Sequence, residues 1–187
     1  AKRVAPGLEL HVSTQASTTN WHTVQMWKEL GATRVVAARE VSLADLKEMK
    51  DHVDIEIESF VHGSMCISYS GRCLLSNYMT GNRDANRGQC SQSCRWKYSL
   101  VESNRPGEYY PIEEDEHGTY IFNSKDLCLI HRIPDLYEAG IDSLKIEGRM
   151  KSVHYCATVA KVYRTAIDTY LKEGKDWYVR PEWIAEL

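Results

Sequence analysis

The stretch IEIESFV at residues Ile55–Val61 decides the fold, because its residues alternate with the period of two that β-strands have. Its two isoleucines and Ser59 fall on one face, whereas its two glutamates and Phe60 fall on the other. One face can therefore pack against a core while the other carries charge. A barrel interior near its mouth accommodates such a polar face better than a doubly wound sheet, which has apolar residues on both sides.

Similar strand patterns occur at Leu8–Ser13, Arg34–Ala38 and Ser143–Gly148. Helical patterns separate them: Trp21–Leu30 after Asn20, a second helix capped by Ser42, and Ser152–Glu173. This alternation predicts an α/β fold with parallel strands and right-handed crossovers. Four strands are about half of an eight-stranded barrel. We therefore predict that residues 1–187 form a single domain, a partial (β/α) TIM-like barrel that is the C-terminal part of a complete barrel, with a small α/β sandwich as the alternative.

The strand–helix pattern breaks over residues 62–125, which we interpret as an inserted cysteine-rich loop with a small β-hairpin. Long loops without structure of their own are uncommon unless they have a function. The hairpin is predicted to join Lys97–Glu102 to Thr119–Asn123. A helix is predicted over Asp126–Ala139, interrupted at Pro134.

Composition excludes some classes of protein. The net charge of −3 gives no overall electrostatic reason to bind nucleic acid or an anionic membrane. No run approaches the roughly 18 apolar residues of a membrane span, and the first residues do not show the charged-then-apolar pattern of a signal peptide. We expect a cytoplasmic protein with no membrane partner, and we expect the open strand edges of a partial barrel to favour homo-oligomers.

Five of the six cysteines are close in sequence, at positions 66, 73, 90, 94 and 128. Their neighbours are polar, which favours metal ligation over burial as small apolar residues. The spacing matches neither a zinc finger nor a bacterial ferredoxin, so an iron–sulfur cluster, zinc, and disulfides or free thiols all remain open. Cys156 instead lies on the apolar stripe of the last helix, where a buried structural role is expected.

Several long motifs closely resemble the signature of the collagenase-like peptidase family U-32. They cover nearly the whole chain: Glu58–Cys66 with Gly71–Ser76, Asn86–Arg95, Ser124–Cys128 and Asp142–Ser152. The family is named after collagen-degrading members, whose catalytic residues were never clearly assigned. Other members hydroxylate RNA bases or ubiquinone precursors without oxygen.

The resemblance implies a β/α barrel that holds a 4Fe–4S cluster on four cysteines. Carried over motif by motif, the ligands are Cys66, Cys73, Cys90 and Cys128, with Cys94 as the alternative. The tRNA-modifying relatives act on the wobble uridine and use prephenate as the hydroxyl source. We therefore expect iron–sulfur-dependent hydroxylation of RNA, with tRNA as partner and prephenate as co-substrate.

Polar side chains on the strand faces are expected to meet beside the cysteine loop. The candidates for catalysis are Glu58, His62, Lys145, Glu147 and Arg149. Lys145 or Arg149 could hold a substrate carboxylate or phosphate, although a buried ion network of Lys145, Glu147 and Arg149 could equally serve only the fold. His62 could bind metal or carry a proton, or could simply bond to backbone in its loop. Ser13 and Gln15 share a polar face of the first strand with His11.

The cysteine loop also offers groups that could bind RNA, although a solvated basic loop explains them equally well. These are Arg72, Arg83, Arg87 and Arg95 for phosphates and Tyr69, Tyr78 and Trp96 for stacking.

Two other functions compete with hydroxylation. A peptidase acting on protein or peptide substrates is the first, but the chain has neither a His-Glu-x-x-His nor a Gly-x-Ser-x-Gly motif, and Cys66 with His62 is the nearest nucleophile–base pair. The second is a non-catalytic binding module in which metal only staples the long loop.

Overall fold

The computed structural model describes residues 2–96, 98–111 and 126–187. Seven strands are described: β1 His11–Val12, β2 Arg34–Val36, β3 Glu56–Gly63, β4 Ser99–Leu100, β5 Tyr110–Pro111, β6 Leu127–Cys128 and β7 Ser143–Glu147. Six α-helices are described: α1 Trp21–Glu29, α2 Leu43–His52, α3 Leu75–Thr80, α4 Ile133–Glu138, α5 Val153–Glu173 and α6 Pro181–Glu186.

Five of the strands form one mixed sheet with β3 at its centre. Strands β1, β2, β3 and β7 are parallel, whereas β6 runs antiparallel to the end of β3 at His62 and Gly63. This confirms the predicted α/β fold and its four parallel strands. Within the described ranges the sheet is not closed, so the structure does not show a TIM barrel.

Three helices, α1, α2 and α5, begin within one residue of the predicted start, because short side chains satisfy the first free backbone N–H groups. Ser42 and Asp45 form a reciprocal capping box at the start of α2. Asn20 accepts a hydrogen bond from the Thr23 amide at the start of α1, and Ser152 accepts one from the Tyr155 amide at the start of α5. Because the caps fix where these helices begin, they also fix the lengths of the connections between each preceding strand and its helix.

Two apolar clusters hold the sheet in place. The first packs α1 and α2 against β2 and β3 through Val24, Val35, Leu46, Met49 and Ile57. The second packs α4, α5 and α6 against the end of β3 through Val61, Ile133, Val159, Tyr163 and Trp183. Because Ile57 and Val61 belong to different clusters, β3 is anchored at both ends. Trp183 is buried in this second cluster, so the C-terminal residues dock on the domain.

The prediction of a helix over Asp126–Ala139 is wrong in its first half. Leu127–Cys128 pairs with β3, a 3-10 turn follows, and the helix begins only at Ile133. Tyr163 explains the difference, because its hydroxyl accepts a hydrogen bond from the Leu129 amide at 3.1 Å and donates one to the Val61 carbonyl at 2.8 Å. Pro134 lies in the first turn of α4, where a missing N–H costs nothing.

The predicted hairpin is described only in part. Ser99–Leu100 is a strand, as expected, and pairs antiparallel with Tyr110–Pro111. The predicted partner Thr119–Asn123 lies outside the described residues. The predicted insertion at residues 62–125 begins slightly later than expected, because β3 continues through Gly63.

A search of the described helices finds none long and apolar enough to span a membrane. Self-association through open strand edges stays a prediction.

Candidate functional site

A cavity of about 240 Å³ lies where the parallel strands end and the cysteine loop begins. Its walls come from the ends of β1, β2, β3 and β7 and from the loop after β3. Its polar and sulfur-bearing lining residues are Ser13, Thr14, Gln15, Arg39, Ser64, Met65, Cys66, Cys73, Cys90, Gln92, Cys94, Arg95, Lys145, Glu147 and Arg149. In sheets of this type ligands bind at the carboxyl ends of the strands, so the cavity is the leading candidate site.

Four cysteines line this cavity together: Cys66, Cys73, Cys90 and Cys94. All four are half-buried. Burial raises the pKa of the Cys66 thiol, partly offset by a backbone hydrogen bond from Ser68 and by the charge of Arg39. Burial likewise raises the pKa of Cys94, and Arg95 opposes it. The nearby cysteines raise both values further, so deprotonating the thiols as a group requires a cation to take up their charge.

Cys128 and Cys156 are placed differently. Cys128 is exposed on β6 opposite His62 and does not line the cavity. The Cys156 thiol lies against Gly148 and donates to its carbonyl at 3.5 Å. A methyl group at Gly148 would collide with that sulfur, which agrees with a packing role for Cys156.

The donor set fits an iron–sulfur cluster better than a preformed site for one ion. In the part of the chain that the structure describes, no three His, Cys, Asp or Glu side chains are grouped closely enough to hold a metal ion. A 4Fe–4S cluster takes one thiolate on each of four irons, so its ligand sulfurs lie farther apart than the ligands of a single zinc. Four half-buried thiols line one small cavity, which is the number and kind of donor that such a cluster takes.

Lys145 projects into the cavity from β7 and is paired with Glu58, not with Glu147. Its Nζ is 2.7 Å from Glu58 Oε1, and the Ser143 hydroxyl donates to Glu58 Oε2 at 2.9 Å. Arg34 approaches the same carboxylate at 3.5 Å. Glu58 thus fixes the position of the ammonium group on the cavity wall. The proposed ion network of Lys145, Glu147 and Arg149 is not what forms.

The pKa of Glu58 reflects this pairing. Burial alone would raise it, but hydrogen bonds from Lys145 and Ser143 and the charges of Lys145 and Arg34 lower it below its ordinary value. A carboxylate with a depressed folded-state pKa stabilises the fold above its unfolded pKa of about 4.3 and loses that contribution as the pH falls through the folded value.

We therefore expect Glu58→Gln to reduce the acid sensitivity of the domain. Between pH 6 and pH 3, the urea midpoint of the wild type should fall further than that of the variant, because only the wild type loses this pair on protonation. The other carboxylates titrate in both proteins, so their contributions cancel when the two changes in urea midpoint are compared. Parallel midpoint curves would contradict the assignment.

Arg149 ties the cysteine loop to the end of β7. Its Nη1 donates to the Gly88 carbonyl at 2.7 Å, and its amide donates to Glu147 Oε1 at 3.0 Å. Gln15 makes a similar tie from β1, donating to the Ala85 carbonyl at 2.7 Å and accepting from the Gly71 amide at 2.9 Å. The loop that carries the cysteines is thereby held over the strand ends.

Two of the five catalytic candidates, Glu58 and His62, do not line the cavity. Glu58 pairs with Lys145, which does line it, whereas His62 has other partners. His62 is buried in β3, with its ring edge-on to Tyr163 and Nδ1 3.4 Å from that hydroxyl. Burial lowers its pKa, with Asp126 opposing the shift, so the ring is neutral near pH 7. The structure brings it together with tyrosines and with Cys128 on β6, and does not place it among the residues that line the cavity with Cys66, Cys73, Cys90 and Cys94.

The arginines of the cysteine loop differ in the groups that they contact. Arg83 donates to the Gln89 and Cys90 carbonyls, and Arg95 donates to the Met65 carbonyl, so both brace the loop. Arg87 is exposed beside Asp84, while Tyr69 and Tyr78 are exposed and could stack on bases.

Sequence reasoning missed several residues of the cavity lining, and Arg39 is the charged residue among them. It lies shortly after the end of β2 at Val36, just as Gln15 lies shortly after β1 and Arg149 shortly after β7. A polar residue just beyond the carboxyl end of a strand was the signal that could have found it.

The chain is similar to known proteins along its whole length. Residues 1–187 match the model of Peptidase family U32. The chain is 54% identical over its whole length to the "tRNA hydroxylation protein P1" of Bacillus subtilis, covering 44% of that protein. It is 35% identical over 91% of its length to the "23S rRNA 5-hydroxycytidine C2501 synthase" of Escherichia coli, covering 25% of it. It is also 44% identical over 88% of its length to a protein of Methanocaldococcus jannaschii named as an uncharacterized protease, covering 40% of it.

The chain spans less than half the length of each of these relatives. No solved structure gives a significant match. The family match runs through every element that builds the cavity, from β1 to α5. The chain belongs to peptidase family U32.

Proposed function

We propose that this chain forms the cysteine-bearing part of an enzyme that hydroxylates a base in RNA with the help of an iron–sulfur cluster. The observation that carries the proposal is the cavity in which four thiols meet Lys145, Glu147 and Arg149. The names of the Bacillus and Escherichia relatives support RNA hydroxylation as the reaction. The wobble uridine of tRNA as target, prephenate as hydroxyl source and the cytoplasm as location follow from the family resemblance and belong to the same proposal.

Cys66, Cys73 and Cys90 are the three ligands on which cavity and resemblance agree. The cavity offers Cys94 as the fourth ligand, whereas the resemblance implies Cys128. When bound, a 4Fe–4S cluster would supply a redox-active, Lewis-acidic centre inside the cavity.

The chain's own side chains would orient the substrates. Lys145, held by Glu58 at 2.7 Å, places a fixed positive charge on the wall. Arg149 and Gln15 hold the loop in place, so that the cavity keeps its shape while thiolates form. A positioned cation in a half-buried site stabilises negative charge on a bound acid or on a base that is being attacked. We further propose that the open sheet is a segment of a larger barrel in the complete gene product.

The peptidase alternative lacks a placed base. Cys66 lines the cavity but His62 does not, so the nearest candidate pair is not brought together at the site. If the chain were instead a non-catalytic binding module in which metal only stabilises the long loop, removing the metal would unfold the loop and no reaction would be lost.

The test is complementation of a strain that lacks the gene. The complete gene product should restore the hydroxylated nucleoside in digested tRNA, measured by liquid chromatography and mass spectrometry. Lys145→Met should lower it by about 100-fold or more, the usual effect of removing a positioned charge. Lys47→Met, which removes an exposed lysine paired with Asp51, is the matched control and should restore hydroxylation fully.

Unchanged hydroxylation in a strain without the gene would refute the RNA reaction. Gelatin cleavage that persists in Cys66→Ala would favour the peptidase instead.

A further inference from the structure

Arg39 differs from the other three cations that line the cysteine cavity. Lys145 pairs with Glu58, Arg149 with the Gly88 carbonyl and Arg95 with the Met65 carbonyl. Within residues 2–96, 98–111 and 126–187, the buried Nε of Arg39 has no hydrogen-bond partner. No ion pair with a described carboxylate is formed either. A buried guanidinium atom without a partner is costly unless an anion completes it.

The adjacent carboxylate, Glu40, is engaged elsewhere. Its two oxygens accept hydrogen bonds from the amide and the hydroxyl of Ser70. The same Ser70 hydroxyl oxygen accepts the Arg39 amide at 3.1 Å. Ser70 therefore fixes the Arg39 backbone and engages both oxygens of Glu40, which forms no hydrogen bond with the Arg39 side chain although the two charges are close enough to attract.

Arg39 also stands between two cavities. A second cavity of about 230 Å³ shares Arg39, Phe60 and Met65 with the first. Its other walls are mainly apolar and include Val41, Leu46 and Leu129. The Arg39 guanidinium lies 6.0 Å from the centre of the Phe60 ring. A cation at the junction of a polar and an apolar cavity matches a molecule with a carboxylate at one end and an apolar ring or branch at the other.

We propose that Arg39 binds the carboxylate of a small organic acid, and that the apolar part of this acid occupies the cavity beside Val41. The inference rests on the proposed function in one respect, because the acid would be the hydroxyl donor of that reaction. Arg39 is then the residue that selects an acid over a neutral molecule, and it holds the acid next to the thiols.

The experiment is calorimetric titration of the anaerobically purified, complete gene product with prephenate as the probe. Arg39→Met should weaken binding by at least tenfold and Arg39→Lys by less, because lysine keeps the charge but not the bidentate geometry. Iron and sulfide content should remain at the wild-type level in both. Arg164→Met, on the outer face of α5, is the matched control and should bind as the wild type does.

Val41→Phe is the second variant, because it fills the apolar cavity without touching the charge. It should also weaken prephenate binding while iron and sulfide are retained. Unchanged binding in both Arg39→Met and Val41→Phe would overturn the proposal.

Three further outcomes would also overturn it. Loss of iron in Arg39→Met with unchanged prephenate affinity would make Arg39 a counter-charge for the metal centre. Weaker tRNA binding with unchanged prephenate affinity would make it a phosphate contact. Absence of prephenate binding in the wild type would remove the ligand altogether. Failure of RNA hydroxylation while prephenate binding still depends on Arg39 would refute the proposed function and leave this inference standing.

Discussion

Cys66→Ala and Cys90→Ala are expected to abolish the brown iron–sulfur absorbance of the anaerobically purified protein and to lower its iron content more than about tenfold. Both sulfurs line the cavity, and both belong to the ligand set that the resemblance implies. The physical reason is that removing one cysteine leaves one iron of the cluster without its thiolate ligand. Hydroxylation of tRNA should be lost with the iron.

Cys156→Ala is the control for these variants. Its thiol touches the Gly148 carbonyl and lies outside the cavity lining. It should retain iron and lose only about 1 kcal/mol of stability, as expected for a small core truncation. Iron retained in Cys66→Ala, or lost in Cys156→Ala, would contradict the assignment.

The same measurement identifies the fourth ligand. Cys94 shares the cavity with the other three sulfurs, whereas Cys128 is exposed on β6. Cys94→Ala and Cys128→Ala are matched changes, and the one that removes the ligand should behave like Cys66→Ala. Binding through Cys128 would require β6 to bring its thiol toward the loop, since that side chain is exposed in this structure.

Gly63→Ala is expected to destabilise the domain by about 3–5 kcal/mol, which combines overpacking with an unfavourable left-handed conformation. Gly63 ends β3 with φ +104, and a methyl group there would overlap the backbone carbonyl oxygen of Glu147. Backbone cannot move aside as a flexible side chain can. The variant should therefore push β7 away from β3 at the point where Glu147 lines the cavity.

Gly81→Ala is the matched control for strain alone. It has φ +78, but nothing lies within 4 Å of the added methyl group. We expect a cost of only about 1–2 kcal/mol. Urea denaturation measures both. Equal losses for the two variants would show that close packing of β3 on β7 is not needed.

The sequence predicted what short-range rules determine. The alternation at residues 55–61 located β3, and Ser42 and Asn20 located two helix starts, because strand period and capping depend on neighbouring residues only. The meeting of the cysteine loop with Lys145 and Arg149 was also predictable, since parallel strands end on the same side of a sheet.

Other features depend on contacts that no local pattern records. Strand β6 is only two residues long and is held by Tyr163, which lies 34 positions after Leu129. Arg39 belongs to no recognisable sequence motif. That its Nε lacks a partner, while Ser70 engages Glu40, is visible only in the folded structure. The structure confirms the predicted α/β fold. A closed barrel would require strands beyond the four parallel ones described, so the barrel remains a proposal.

The central claim is that thiols from separate turns of one loop converge on a single inorganic centre. Counting iron and acid-labile sulfide in the anaerobically purified wild type tests it most directly. We predict about four of each per chain, the composition of one 4Fe–4S cluster. Zinc without sulfide, or a metal-free protein whose cysteines are paired in disulfides, would contradict it.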